Sequence, residues 1–270
     1  MRCRHLLTPL LALGLAVAFS ASAPAGAAGW APAATATVHP GVQTVTGGAQ
    51  CTANFLFTDG TTTYLGQAAH CSGTGAATDT NGCTTGSLPI GTPVTFAGFT
   101  GTLAYNSWLT MQANHETDAN TCAFNDLALI AMPAAAVAVA NPSVPVFGGP
   151  TGLAPAPAAG TNVYSYGNSS LRLGLTPTSP KRGVTLGPAS GGWTSSVYTV
   201  TPGIPGDSGS GFLDDGGRAF GVLSTVAVLP LPASNGVGSL ANEVAYARAH
   251  GLPGLSLIPG TEAFNASALL

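Results

Sequence analysis

Short runs of alternating or continuously apolar residues, punctuated by Gly, Pro, Asn and Asp, run through the whole chain. From Cys51 to Phe57 the positions Cys51, Ala53, Phe55 and Phe57 alternate with Thr52 and Asn54, the period of a half-buried strand. Asp59-Gly60 turns the chain and Thr61 to Leu65 runs back. The pair reads as a hairpin that delivers Gln67-Ala68-Ala69-His70-Cys71 just past a strand end. The same signals predict strands at Val94 to Phe99, Thr102 to Tyr105, Leu127 to Ile130, Val163 to Tyr166, Val197 to Val200 and Ala219 to Leu223. Nothing in this series alternates with long helices, which argues against a parallel α/β sheet and for an all-β fold. From Pro133 to Gly160 the chain is rich in Ala, Pro, Val and Gly and carries no charge, as expected of a connection between two β units. Ala134 to Ala140 within it reads equally as a short helical turn. One longer helix is predicted, from Leu240 to His250, with Ser239 as N-cap, Gly251 as stop and Leu240, Val244 and Ala247 on one apolar face.

The start of the chain has a different pattern. Arg2 and Arg4 precede an apolar run from Leu6 to Phe19, and small residues follow up to Ala25-Gly26-Ala27, which is the layout of an export signal cleaved after Ala27 or Ala28. The run is too short, and too interrupted by Pro9, to span a bilayer comfortably. Removal of 1–28 leaves about 240 residues, room for one large all-β unit or two small ones. Only 6% of the chain is charged, and once Arg2 and Arg4 are set aside ten acidic residues face five basic ones. No basic patch exists to gather nucleic acid or an anionic membrane, so the expected product is a mildly acidic, secreted monomer. Of the five cysteines, Cys3 leaves with the signal; Cys51, Cys71, Cys83 and Cys122 remain, an even number that argues for two disulfides in an exported chain. Three pairings are open, and spacing does not choose among them. No CxxC spacing supports a zinc site. His115, Glu116 and Asp118 match no HExxH or EF-hand pattern either, so neither a metal nor a cofactor is expected.

Candidate chemistry concentrates in three short segments. Gly206-Asp207-Ser208-Gly209-Ser210-Gly211 offers a serine flanked by glycines that allow a tight backbone turn, so the N–H groups of Gly206 and Ser208 could converge on an oxyanion. Alone the hexapeptide is only moderately specific, because such residues crowd ordinary loops. A serine hydroxyl needs a base, and His70 is the best placed of the histidines: Ala68 and Ala69 before it leave its ring room to lie over a serine. Asp126 stands at the mouth of the apolar run Leu127-Ala128-Leu129-Ile130, where a carboxylate needs a partner, and an imidazole N–H is such a partner. Taken singly, each residue also has a structural reading, as a disulfide neighbour, a turn cap or a loop residue.

Together, Ala68-Ala69-His70-Cys71, Asn125-Asp126-Leu127-Ala128-Leu129 and Gly206-Asp207-Ser208-Gly209 resemble the trypsin/chymotrypsin-like serine proteases, in the family's order and at family-like separations. The resemblance covers nearly all of the chain beyond the signal. It separates the chain from α/β hydrolases, in which serine comes first and histidine last and whose GxSxG pattern Ser210 breaks. It implies two six-stranded antiparallel barrels with a C-terminal helix: a first barrel over 29–140, a connection over 141–160, and a second barrel with the helix over 161–270. His70 and Asp126 would come from the first and Ser208 from the second, acting on protein or peptide substrates. The resemblance also implies that Cys51 pairs with Cys71, leaving Cys83 with Cys122. By the same likeness Ser224 would hydrogen-bond Asp126, and Thr225 and Val226 would accept substrate backbone as an added strand. Pro202, six residues before Ser208, would form the base of the specificity pocket and Val226 would narrow its mouth, which disfavours Lys and Arg and suits small or medium apolar side chains. The chain departs from the family pattern in lacking a basic residue followed by an Ile/Val-Val-Gly-Gly start. Asp207 must then find a cation among the mature N-terminal amine, Arg172 and Arg182. An esterase using the same residues and a silent binding module are the alternatives to an endopeptidase.

Overall fold

A computed structural model of the chain describes residues 29–76, 78–227 and 234–268, the side chains of 226 and 227 excepted. The export signal expected at 1–28 and the side chain of Val226 therefore lie outside the described residues. The N-terminal half contains β1 (Gln43–Thr46), β2 (Ala49–Thr52), β3 (Leu56–Thr58), β4 (Thr63–Ala68), β5 (Pro93–Phe96), β6 (Phe99–Asn106), the short helices α1 (Ser107–Ala113) and α2 (Ala119–Phe124), β7 (Leu127–Ala131) and α3 (Ala134–Val137). The C-terminal half contains β8 (Asn162–Tyr166), β9 (Pro180–Ala189), β10 (Thr194–Thr199), β11 (Gly211–Leu213), β12 (Ala219–Ala227), β13 (Ser234–Ser239), α4 (Leu240–Ala249) and β14 (Ser256–Leu257). Every strand pairing is antiparallel. No helix among the described residues is long and apolar enough to cross a membrane.

The expectation of two six-stranded barrels is met in the second unit, where β10-β13-β12-β11-β8-β9 close on themselves. The first unit is instead an eight-stranded curled sheet in the order β14-β3-β4-β7-β6-β5-β1-β2. Its curl follows from one stretch of chain: Ala53 donates to Val42 O at 2.9 Å and Asn54 to Gly66 O at 2.8 Å, so the run from β2 into β3 bonds to both sides of the sheet. The eighth strand, β14, comes from the end of the chain and pairs with β3, Leu257 opposite Phe57.

Three apolar clusters hold this arrangement. Leu65, Val94, Phe96, Leu103, Ala128 and Ile130 fill the first sheet, and Val163, Val197, Phe212, Phe220, Leu223 and Val237 fill the barrel. A third cluster joins Phe55, Leu127 and Leu129 to Tyr164, Leu213 and Val222 between the two, with Leu240, Val244 and Ala247 of α4 packed into it. The unbroken apolar sequence of β7 now has its reason. Leu127 and Leu129 face the junction, Ala128 and Ile130 face the sheet interior, and a strand buried on both faces has no polar side to show.

Candidate active site

His70 lies in a single 3-10 turn, Ala69–Ser72, that follows β4 directly. The turn is fastened on several sides: Ala69 N–H donates to Asp126 O at 2.8 Å, and the buried Asn106 amide donates to Ala69 O at 3.2 Å and to Ser72 Oγ at 2.8 Å. The Cys51–Cys71 disulfide ties it to β2, and Cys83–Cys122 pins the loop before β5 to α2. Asp126, 3% exposed at the head of β7, accepts the His70 main-chain N–H on Oδ1 at 2.8 Å and faces His70 Nδ1 with Oδ2 at 2.7 Å. Ser224 Oγ donates to that same Oδ2. The register shift in β12 between Leu223 and Thr225 accompanies the turn of the Ser224 side chain toward Asp126. Burial alone would lower the His70 pKa, but the charge of Asp126 and its hydrogen bond outweigh it and raise the imidazole above its ordinary value of 6.5. The ring is not sealed, since 26% of the side chain remains exposed.

Ser208 is held between the two units. Its carbonyl accepts the Thr52 N–H of β2 at 2.8 Å, while the next residue, Gly209, donates to Leu223 O of β12 at 2.7 Å. Gly209 is required here: its φ is +87°, and a Cβ would stand 2.6 Å from Thr52 O and 2.8 Å from Ala68 N. That approach sets Ser208 against the end of β4, two residues before His70. Among the described residues Ser208 Oγ and His70 Nε2 form no hydrogen bond with each other or with any other group. The preceding turn is closed by Asp207 N–H donating to Ile204 O at 2.9 Å. The N–H groups of Gly206 and Ser208 have no acceptor among the described residues. Gly206 O is itself fixed by Thr52 Oγ1 at 2.7 Å and Gln50 Nε2 at 3.0 Å.

Asp207 is fully buried behind this turn and meets two cations, Arg172 at 2.5 Å and Lys181 at 2.9 Å. Burial would raise its pKa, but the Arg172 hydrogen bond and the Lys181 charge hold the carboxyl below its ordinary value. Lys181 is itself fully buried and also donates to Pro202 O at 3.0 Å; burial pulls its pKa down against the raising effect of Asp207. Of the three cations expected for Asp207, Arg172 is present, whereas Arg182 is not: it donates to Ala266 O and Ala268 O and lies over the rings of Phe147 and Tyr164. Thr225 Oγ1 occupies the space over Gly236, where a Cβ would come within 2.2 Å of it, and Val226 pairs through its main chain with Asn235.

Two buried charged residues beside the site escaped the sequence reading. Lys181 carried no signal, since nothing in Pro180-Lys181-Arg182 marks which cation turns inward. Glu243, fully buried in α4, accepts the Asp126 N–H on Oε1 at 3.0 Å. It had a signal: it stands three residues after Leu240 and four before Ala247, on the apolar stripe of its helix.

No family model and no curated protein sequence matches the chain. Solved structures do. Protease A of Thermobifida fusca aligns over 83% of this chain and 99% of its own, with a TM-score of 0.54 and 19% identity. A glutamic acid specific serine protease, described as using a histidine triad in substrate binding, aligns over 82% and 100%, with a TM-score of 0.51 and 16% identity. The chain has the chymotrypsin-like fold. His70 follows β4 and Asp126 precedes β7 of the curled sheet, and Ser208 precedes β11 of the barrel.

Proposed function

We propose that the chain is a secreted serine endopeptidase in which Ser208 is the nucleophile, His70 the general base and Asp126 the carboxylate that orients it. One observation carries the reading. A single buried carboxylate gathers the His70 main chain, the His70 ring and Ser224, while the Gly206–Gly209 turn is bonded to β2, which the Cys51–Cys71 disulfide ties to the turn of His70. With Nδ1 committed to Asp126, Nε2 is the nitrogen that takes the Ser208 proton as Oγ attacks the scissile carbonyl carbon. The negative oxygen so formed is met by the N–H groups of Gly206 and Ser208, each such donor being worth roughly 3 kcal/mol in the transition state. The imidazolium, stabilised by Asp126, then protonates the leaving amine, and water repeats the sequence on the acyl-enzyme. Hydrogen bonds between nucleophile and base are often long without substrate and tighten when it binds. The salt-bridged Asp207 supports a turn that needs no newly cut N-terminus to neutralise its acid.

Fluorophosphonate labelling read by intact mass tests the nucleophile. The wild type is expected to gain one adduct and Ser208→Ala none; an unlabelled wild type would point to a silent module. Casein turnover compared with that of short esters separates the endopeptidase from an esterase. The absence of an acid at Pro202, and the use of the nearby buried Lys181 on Asp207 and Pro202 O, support a pocket for small or medium apolar side chains. On a peptide panel varied at the residue before the cut, the expected optimum is Ala, Val or Leu. A clear optimum at Arg or Lys would overturn that assignment.

A further inference from the structure

Glu243 has no part in the mechanism above, yet its carboxyl group accepts the main-chain N–H of Asp126. It is fully buried, it forms no ion pair among the described residues, and its second oxygen, Oε2, has no hydrogen-bond partner among them. The site accommodates it by omission of a side chain. Gly238 of β13 lies against the carboxyl group, and a Cβ there would stand 2.7 Å from Oε1. The titratable groups around it bring no compensating charge. They are Asp126 ahead of β7, Tyr105 on β6, and Tyr246 on its own helix with Glu116 beyond it. A buried carboxylate beside a second carboxylate is costly, since His70, which can carry a positive charge, is already bonded to Asp126, and the ordinary outcome is that one of the two keeps its proton.

We propose that Glu243 is a positioning residue for the His70–Asp126 pair, holding the Asp126 main chain with an uncharged carboxyl group. The inference rests on the reading of His70 as base and Asp126 as its orienting carboxylate. Burial drives the Glu243 pKa up to about 8; the Asp126 N–H pulls it down and the Asp126 charge pushes it up again. Below that pH, Glu243 accepts the N–H without placing a second negative charge beside Asp126. Above it, ionised Glu243 adds that charge to the field felt by His70.

Two substitutions separate the roles of acceptor and proton. Glu243→Gln keeps an acceptor and is neutral at every pH; Glu243→Leu keeps the bulk and loses the acceptor. The folded pKa of about 8 lies above the ordinary value of 4.5, so the stability contributed by protonated Glu243 is complete below 4.5 and lost as pH rises through 8. In thermal melts Glu243→Gln should gain on the wild type across that interval and keep a constant lead above it. A lead independent of pH would overturn the proposal. In peptide hydrolysis near pH 7, Glu243→Leu should lower kcat by about tenfold with KM little changed, the loss of one hydrogen bond. Glu243→Gln should retain kcat and lack the wild type's inflection near pH 8. An unchanged kcat in a folded Leu variant would also overturn it, and if that variant does not fold the Gln arm decides. Should the wild type hydrolyse nothing, the enzymatic reading fails by itself. The Glu243 inference is then decided by the melts and by the His70 Nδ1–H proton resonance, which must move near pH 8 in the wild type and not in Glu243→Gln.

Discussion

At the scale of single residues, the charge on Asp126 raises the pH at which the His70 ring gives up its proton. Because Asp126 raises the imidazole pKa above 6.5, activity should fall on the acid side through a pKa higher than that of a free histidine. Neutralising the partner reverses the sign. In Asp126→Asn, burial acts on the ring without an opposing charge, so the His70 titration followed by NMR should move below its wild-type position. kcat should fall by about 10⁴, the usual consequence of losing the orienting carboxylate. An unmoved titration would show that Asp126 does not govern this ring. These candidates stood out in the sequence because each sits in a short segment whose local chemistry is unusual: a serine in a glycine-rich turn, a histidine after two alanines, an acid opening an apolar run. Lys181 and Glu243 were less legible because their roles come from what encloses them, and burial of a charge leaves no local pattern unless it interrupts an apolar stripe, as Glu243 does.

At the scale of elements, the turn that carries Ser208 is supported by charge where the strands are supported by apolar packing. Asp207 is held below the ordinary carboxylate range, so its contribution to stability is present above a pH of about 4 and lost as pH falls through its folded pKa. In thermal melts followed by circular dichroism, replacing Arg172 and Lys181 both by Met should therefore cost most at neutral pH and progressively less as acid protonates the carboxyl that the two cations no longer hold low. That double variant leaves a buried, uncompensated carboxylate and should cost about 3–5 kcal/mol at neutral pH; an unchanged transition would remove the pair from the account of this turn. The elements that sequence periodicity missed have physical causes. β9 runs through Pro180, Gly183, Gly187 and Pro188, residues that argue against a strand, and it is tolerated because its register against β10 is broken between Ser195 and Val197. α1 and α2 are short enough that their caps matter more than their periodicity. Asn106 accepts from Trp108 and Leu109, and Asp118 from Thr121, and such local bonds can hold helices of one or two turns.

At the scale of the molecule, three apolar clusters make the two β units one body, and the junction cluster is the one that joins the curled sheet to the barrel. Leu255 belongs to it, is fully buried, and is gripped through its carbonyl by Arg248 Nε at 2.7 Å. Leu255→Ala should lower the unfolding free energy by about 3 kcal/mol in urea titrations, with an unaltered slope if the two units still unfold together. A split into two transitions would mean that the junction is not cooperative. The residues after Leu255 take this coupling further. β14 closes the edge of β3, Gly260 donates to Pro150 O at 2.8 Å, and Thr261 and Glu262 donate to Ser143 Oγ at 2.9 Å each. The N-terminal sheet is thus completed by chain made after the barrel. A polypeptide made only as far as the barrel therefore still lacks one edge of its first sheet, and that sheet is finished only when the residues after α4 fold back onto it.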